Sequence, residues 1–290
     1  MVRLPGTKQI LLTAICLLFP VQFAISAPEL PPLNSSNTGK QITGKFTWFE
    51  LVTLDIEQQK QFYGAVFGWQ FRTISKTGEQ YTLIMNGERN IAGLFQVKPP
   101  QDVRIGALWI GLMSVTDPDK AVTTAKNAGG SVHTPVKALP QRGSYALLRD
   151  PEGALFGVLK SASGDPPDHD VPIGDFFWVD LFARDMQREA KFYQQLAGYE
   201  VTENDKGVKR KLLRAQDEYR AGIVPLPEGA NRAGWLPYVR VDNVAATLKK
   251  VEAAGGQIMV EPDKSLLNGN LAIFTDPQGG IMGIVKWVQP

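Results

Sequence analysis

Residues 46–69, FTWFELVTLDIEQQKQFYGAVFGW, return 130 positions later as residues 176–199, FFWVDLFARDMQREAKFYQQLAGY. Trp48 aligns with Trp178, Phe62-Tyr63 with Phe192-Tyr193, and Gly68-Trp69 with Gly198-Tyr199. The correspondence continues at Ala92-Gly93 and Ala221-Gly222, at Gly129-Gly130 and Gly255-Gly256, and at Asp150-Pro151 and Asp276-Pro277, the offset drifting by a few residues. A repeat on that scale is a duplicated module, and a site is expected where the copies face each other.

Within each copy the signals run strand, helix, then several strands. Phe46 to Thr53 is rich in aromatic and β-favouring residues, and Asp55 with Gln58 three residues on starts a helix that Gly68 stops. Asp185 and Gly198 bracket the counterpart. Strands are expected at Tyr81 to Met85, Ile91 to Val97 and Leu108 to Val115. A second helix starts near Asp117-Pro118 and ends at Gly129-Gly130, matched by one from about Asp242 to Gly255. A strand at Tyr145 to Leu148, a turn at Asp150-Pro151-Glu152-Gly153 and a strand from Ala154 to Lys160 close the module.

Two modules, 44–160 and 174–290, account for most of the 290 residues, and each is long enough to bury its own core. Residues 1–26 have the layout of a secretory signal peptide: Arg3 and Lys8, an apolar run from Ile10 to Phe19, Pro20, then small residues at Ala24, Ser26 and Ala27. The apolar run is short for a bilayer span, so cleavage after Ser26 without lasting membrane insertion is expected, with export to the periplasm or the medium. The cut removes Cys16, the single cysteine, and leaves 29 Lys+Arg against 29 Asp+Glu. A balanced charge gives no electrostatic case for nucleic acid. The basic run Lys206 to Lys211 reads as a solvated hairpin face. Residues 27–43 read as a flexible tether with little to bury, and 161–173 as the linker between modules.

The W-F-E-L strand at Trp48, the F-Y-G-A-V-F-G-W helix end at Phe62 and the late D-P-E-G and D-P-Q-G hairpins together resemble the vicinal oxygen chelate superfamily, the glyoxalase, bleomycin-resistance and extradiol-dioxygenase group. The resemblance covers both modules and is greatest to tandem glyoxalase-like proteins. It implies an α+β fold of two tandem βαβββ modules whose curled mixed sheets enclose a shared cleft. In metal-dependent members that cleft holds a divalent ion through His, Glu or Gln and polarises vicinal oxygens of the substrate. The corresponding positions here are Trp48 and Trp178, Ile110 and Leu236, Gly157 and Gly283, and the strands containing Leu94 and Ile223. None of these side chains ligates a metal, so neither metal nor cofactor is expected. His133 and His169, the two histidines, fall after a helix stop and in the linker.

Strand alternation puts Glu50 on the face of Trp48 and Asp180 on that of Trp178. The same parity sends Tyr238 and Arg240 to the cleft, with Ser114 at the position matching Arg240. Such a lining suits a planar or aromatic ligand bearing a polar group. The alternative is structural: the tryptophans fill the volume left by Gly157 and Gly283, and Arg240 pairs with Asp180. Neither a phosphate-binding Gly-Lys loop, a GxSxG elbow nor a Cys-His pair is present. Three readings stay open: a metal-free small-molecule-binding protein; a metal-independent lyase or isomerase with Glu50 or Asp180 as general base; and a partner-binding protein or homodimer with a vestigial cleft.

Overall fold

The computed structural model describes residues 30–76, 79–98, 106–204 and 209–287. The expected signal peptide lies outside the described residues. In the first module the elements are β1 (Phe46–Thr53), α1 (Ile56–Phe67), β2 (Gln70–Lys76), β3 (Glu79–Asn86), β4 (Arg89–Gln96), β5 (Leu108–Ser114), α2 (Pro118–Asn127), β6 (Ser131–Leu139), β7 (Gly143–Arg149) and β8 (Leu155–Ser161). The second module repeats them as β9 (Phe176–Ala183), α3 (Met186–Ala197), β10 (Glu200–Asn204), β11 (Arg210–Ala215), β12 (Glu218–Pro225), β13 (Gly234–Arg240), α4 (Val244–Ala253), β14 (Gln257–Val260), β15 (Leu271–Thr275) and β16 (Ile281–Val285).

The helix stops follow from local chemistry. The Asp55 carboxylate accepts from the Gln58 amide at 3.0 Å, and Gly68 closes α1 in the left-handed region at φ 74°. Asp185 and Gly198 do the same for α3. Any residue with a Cβ would be strained at those two glycines.

Each module forms one mixed eight-stranded sheet among the described residues, in the order β2-β3-β4-β1-β5-β8-β7-β6 and its counterpart. The central pair, β1 and β5, is antiparallel, and each of the two is flanked by a parallel partner, β4 or β8. The expected single βαβββ unit per module is therefore corrected. Each module holds two, β1 to β4 with α1 and β5 to β8 with α2, so the chain has four. Sequence alone exposed the larger repeat because its motifs are shared; the smaller one is carried only by topology.

The arrangement of faces also differs from a common cleft. Phe49, Leu51, Val179 and Leu181 all enter one core between the sheets, where Phe49 stacks on Phe176 at 4.0 Å. Trp48 and Tyr238 fall instead in two separate clusters, one per module. The two faces of interest thus lie on opposite sides of the shared core, because alternation sends odd and even positions of β1 and β9 to opposite sides.

Residues 30–43 do not match the reading of a flexible tether with little to bury. Leu30 is 3% exposed and packs in the cluster with Trp48, Tyr81 and Leu112. The Asn34 amide donates to Ser163 Oγ at 3.0 Å, and the Ile42 amide to the Asp165 carboxylate at 2.5 Å. Two leucines and an isoleucine suffice to dock a Pro-rich stretch when a neighbouring linker offers acceptors.

The first helix of each module packs on the second half of the other. Phe62 of α1 meets Phe274 of β15 at 6.0 Å, and Phe192 of α3 meets Phe156 of β8 at 6.2 Å. The Asp-Pro hairpins clasp these helices. Asp276 Oδ1 accepts from the Gln278 and Gly280 amides of its own turn, while Oδ2 accepts from Tyr63 and Gln59 of the other module, both at 3.0 Å. Trp109 Nε1 then donates to the Tyr63 hydroxyl at 2.8 Å. The counterpart runs from Trp235 through Tyr193 to Asp150, at 2.8 and 3.0 Å.

One half of this clasp is neutral where the other is acidic. Gln59 and Gln278 are replaced by Glu189 and Glu152. Burial, then Asp150 and Glu152, push the Glu189 carboxyl up to about 8, so it holds its proton and hydrogen-bonds Asp150 as Gln59 does Asp276. An unfolded glutamate ionises near 4.5, so folding binds a proton and stability falls as pH rises from there to about 8. Glu189→Gln is expected to raise Tm more at about pH 8 than at about pH 5, by roughly 2–4 °C per kcal/mol recovered. Equal shifts at the two pH values in thermal unfolding would contradict the assignment.

Candidate functional site

On the outer face of the first sheet, β1 places Trp48 and Glu50 two residues apart. The Trp48 indole N–H donates to Glu50 Oε1 at 2.8 Å, and the Tyr81 hydroxyl of β3 donates to both carboxylate oxygens, at 2.8 and 3.0 Å. Gly93 lies opposite Glu50 on β4. A Cβ there would come within 1.8 Å of the Tyr81 hydroxyl and 2.1 Å of Glu50 Oε2, so glycine is what lets the tyrosine and carboxylate meet. The Arg142 guanidinium, from the turn between β6 and β7, sits 4.2 Å from the centroid of the Trp48 ring.

Glu50 is partly buried among these groups. Desolvation raises its carboxyl to about 7 against the lowering influence of Tyr81, Arg142 and Trp48. At neutral pH it is therefore divided between acid and carboxylate. Tyr81 is raised well above its ordinary value by burial and then by Glu50, and stays a hydroxyl donor.

The second sheet builds the same four kinds of group, tryptophan and carboxylate from equivalent positions and tyrosine and arginine from others. Trp178 Nε1 donates to Asp180 at 2.8 Å, and the Tyr238 hydroxyl hydrogen-bonds the same carboxylate. Gly222 stands opposite Asp180, where a Cβ would lie 2.1 Å from Oδ1. The arginine facing this carboxylate is Arg210 of β11. By strand register Arg210 takes the place of Tyr81, while Tyr238 takes that of Leu112. Burial raises Asp180, with Arg210 the largest opposing influence.

Several sequence expectations need correction. Arg240 does not pair with Asp180; its guanidinium donates to the Val171 carbonyl of the linker. Ser114 shares the side of β5 that carries Leu112 and lies fully buried at the strand's end, beside Asp165. Gly157 and Gly283 clear room for Leu112 and Tyr238, not for the tryptophans: Cβ atoms there would meet those side chains at 2.0 and 2.1 Å. Leu94 and Ile223 point into the shared core, and Gly93 and Gly222 take the outer-face positions beside them. Arg210, read as part of a solvated basic run, faces a buried carboxylate. Tyr81, Arg142 and Arg210 were missed because they reach the face from β3, a hairpin turn and β11. Parity along β3 was the one available signal, for Tyr81. His133 is partly buried on β6, its pKa lowered by burial and Arg149, and His169 is exposed in the linker with its ring 3.1 Å from the Pro167 carbonyl.

Comparison with known proteins agrees with this architecture. Residues 45–85 match a family described as bleomycin resistance protein-like N-terminal, and residues 177–285 match a glyoxalase-like domain. CFP32 of Mycobacterium bovis, whose name proposes a glyoxylase, is 28% identical over 250 residues, covering 84% of this chain and 95% of its own. The anthracycline biosynthesis protein DauV of Streptomyces sp. strain C5 is 27% identical over 258 residues, covering 84% and 93%. Among solved structures, the Mn(II)-bound glyoxalase of Novosphingobium aromaticivorans superposes with a TM-score of 0.56 at 16% identity, over 85% of this chain and 83% of that one. An extradiol ring-cleaving dioxygenase from Brevibacterium fuscum gives 0.59 at 14%, over 90% and 75%. The two family matches, the relatives and the shared fold together support the vicinal oxygen chelate superfamily for this chain. The chain carries the tandem, glyoxalase-like form of that fold.

The superfamily's divalent ion needs several oxygen or nitrogen ligands converging on one point. Each face here offers one carboxylate, already held by an indole and a phenol and facing an arginine. Among the described residues no group of three or more His, Cys, Asp or Glu could hold a metal ion. The donor sets do not fit the ion.

The Trp48 indole N–H reports directly on Glu50. Its nitrogen resonance is expected to titrate with a midpoint near 7, to lose that titration in Glu50→Gln, and to titrate higher in Tyr81→Phe, which removes a lowering hydrogen bond. A midpoint near the ordinary 4.5 would refute the environment described.

Proposed function

We infer that this is an exported, metal-independent protein that binds small planar molecules on its two outer sheet faces. The observation that carries the reading is the pairing on each face of a single carboxylate with indole and phenol donors, and with no second ligating side chain. Such a lining offers aromatic stacking surface and directional hydrogen bonds without a Lewis acid. Export rests on the N-terminal pattern of basic residues, apolar run and small residues. The relatives' names, a glyoxylase and an anthracycline biosynthesis protein, point toward carbonyl-bearing and polycyclic aromatic compounds.

A second reading, favoured by the Glu50 carboxyl near 7, is a lyase or isomerase in which Glu50 takes a proton from carbon beside a carbonyl. A base with its pKa near the working pH is suited to that step, and Tyr81 or Arg142 would steady the developing enolate oxygen. Full turnover by the Glu50→Gln, Asp180→Asn double variant would exclude it.

The binding reading is tested by fluorescence titration with planar aromatic ligands, an anthracycline among them. Trp48→Ala and Trp178→Ala should each weaken binding at their own face by roughly 10-fold, the scale of one lost aromatic contact. Unchanged affinity for every ligand in both variants would rule out these faces.

A further inference from the structure

The first-sheet face contains a charge its protein surroundings leave incomplete. Arg142 is 2% exposed, and its Nε and Nη1 lack a hydrogen-bond partner. The turn that carries it is fixed: its amide donates to the Leu139 carbonyl at 3.0 Å, and its carbonyl accepts from the Ala162 amide at 2.9 Å. The guanidinium cannot shed its proton, and stacking on Trp48 uses only its flat face, leaving the N–H groups of Nε and Nη1 unpaired. Glu50, the nearby carboxylate, acts on it through space, while its oxygens accept from Trp48 and Tyr81. A buried guanidinium with unfilled donors calls for an acceptor that the described residues do not supply.

We propose that the first-sheet face binds planar organic anions, the carboxylate, phenolate or enolate oxygen of the ligand pairing with the Arg142 guanidinium that is stacked on Trp48. This rests on the reading of that face as a ligand site. The second face is not equivalent. The corresponding turn there carries Asn268, and its arginine, Arg210, comes from β11 and faces Asp180. Anion selectivity therefore belongs to the first module.

Benzoate and benzamide separate charge from shape, being nearly isosteric. Titrated into the full-length, nitrogen-15-labelled protein, benzoate should shift the Trp48 indole resonance saturably, at least 10-fold more tightly than benzamide. Arg142→Met, of similar length and apolar, should abolish that preference with the other indole resonances still dispersed. Arg142→Lys, which keeps the charge but loses the planar fork, should retain a weakened preference. Equal response to the two probes, or a benzoate response unchanged in Arg142→Met, overturns the anion assignment and leaves the face as a site for neutral ligands. If benzoate moves Trp178 and not Trp48, the assignment fails and ligand binding stands on the second module. If neither probe moves any indole up to its solubility limit while an anthracycline does, the anion class alone is wrong; if nothing moves either indole, both readings fail.

Discussion

The contact on which the remaining structure depends is the reach of each Asp-Pro hairpin into the opposite module. Asp276 holds Tyr63 and Gln59, and Asp150 holds Tyr193, each through one carboxylate oxygen while the other secures its own turn. Because the aspartates close their turns and cross the interface at once, hairpin shape and module docking are set together. Tyr63 and Tyr193 are fully buried, and each receives an indole N–H from the first strand of its module's second half. These relays fix which sheet face is inside. The helices and Phe49, Leu51, Val179 and Leu181 fill the core, and Trp48, Glu50, Trp178 and Asp180 are left on the far side of each sheet.

Much of the local structure was legible in the sequence. Asp55, Asp117 and Asp185 cap helices because a short carboxylate can satisfy free amides of the first turn, and Gly68 and Gly198 end two of them because the backbone turns left-handed there. Strand parity correctly grouped Trp48 with Glu50 and Trp178 with Asp180. It could not say which group was inside, and assigning both to a common cleft followed from that gap. The hairpin motifs were recognised as family marks, yet their role as inter-module clasps needs the spatial partner, more than 200 residues away for Asp276 and Tyr63. Strands β2 and β6 went unseen since both lie at sheet edges, where one-sided pairing leaves no clear burial pattern, and Pro135 further obscured β6.

The two outer faces show how a duplicated frame can keep a chemical set while moving its members. Tryptophan and carboxylate stay at equivalent positions. Tyrosine and arginine reach them from β3 and a turn in one module, and from β13 and β11 in the other. The shift is permitted by glycine: Gly93 admits Tyr81 beside Glu50, and Gly283 admits the ring of Tyr238. Glutamate on the first face and aspartate on the second differ by one methylene, and the shorter chain is the more fully buried. The first face accordingly retains an accessible, titrating carboxyl, whereas the second holds its carboxylate closed.

The central claim is that these faces work without a metal, although the fold is one in which metal-bound members occur. Metal content of the full-length protein, purified without chelators, tests it most directly. The account predicts no stoichiometric divalent ion, in the native protein and in Glu50→Gln and Asp180→Asn alike. One equivalent of a divalent ion, lost on either substitution, would contradict it.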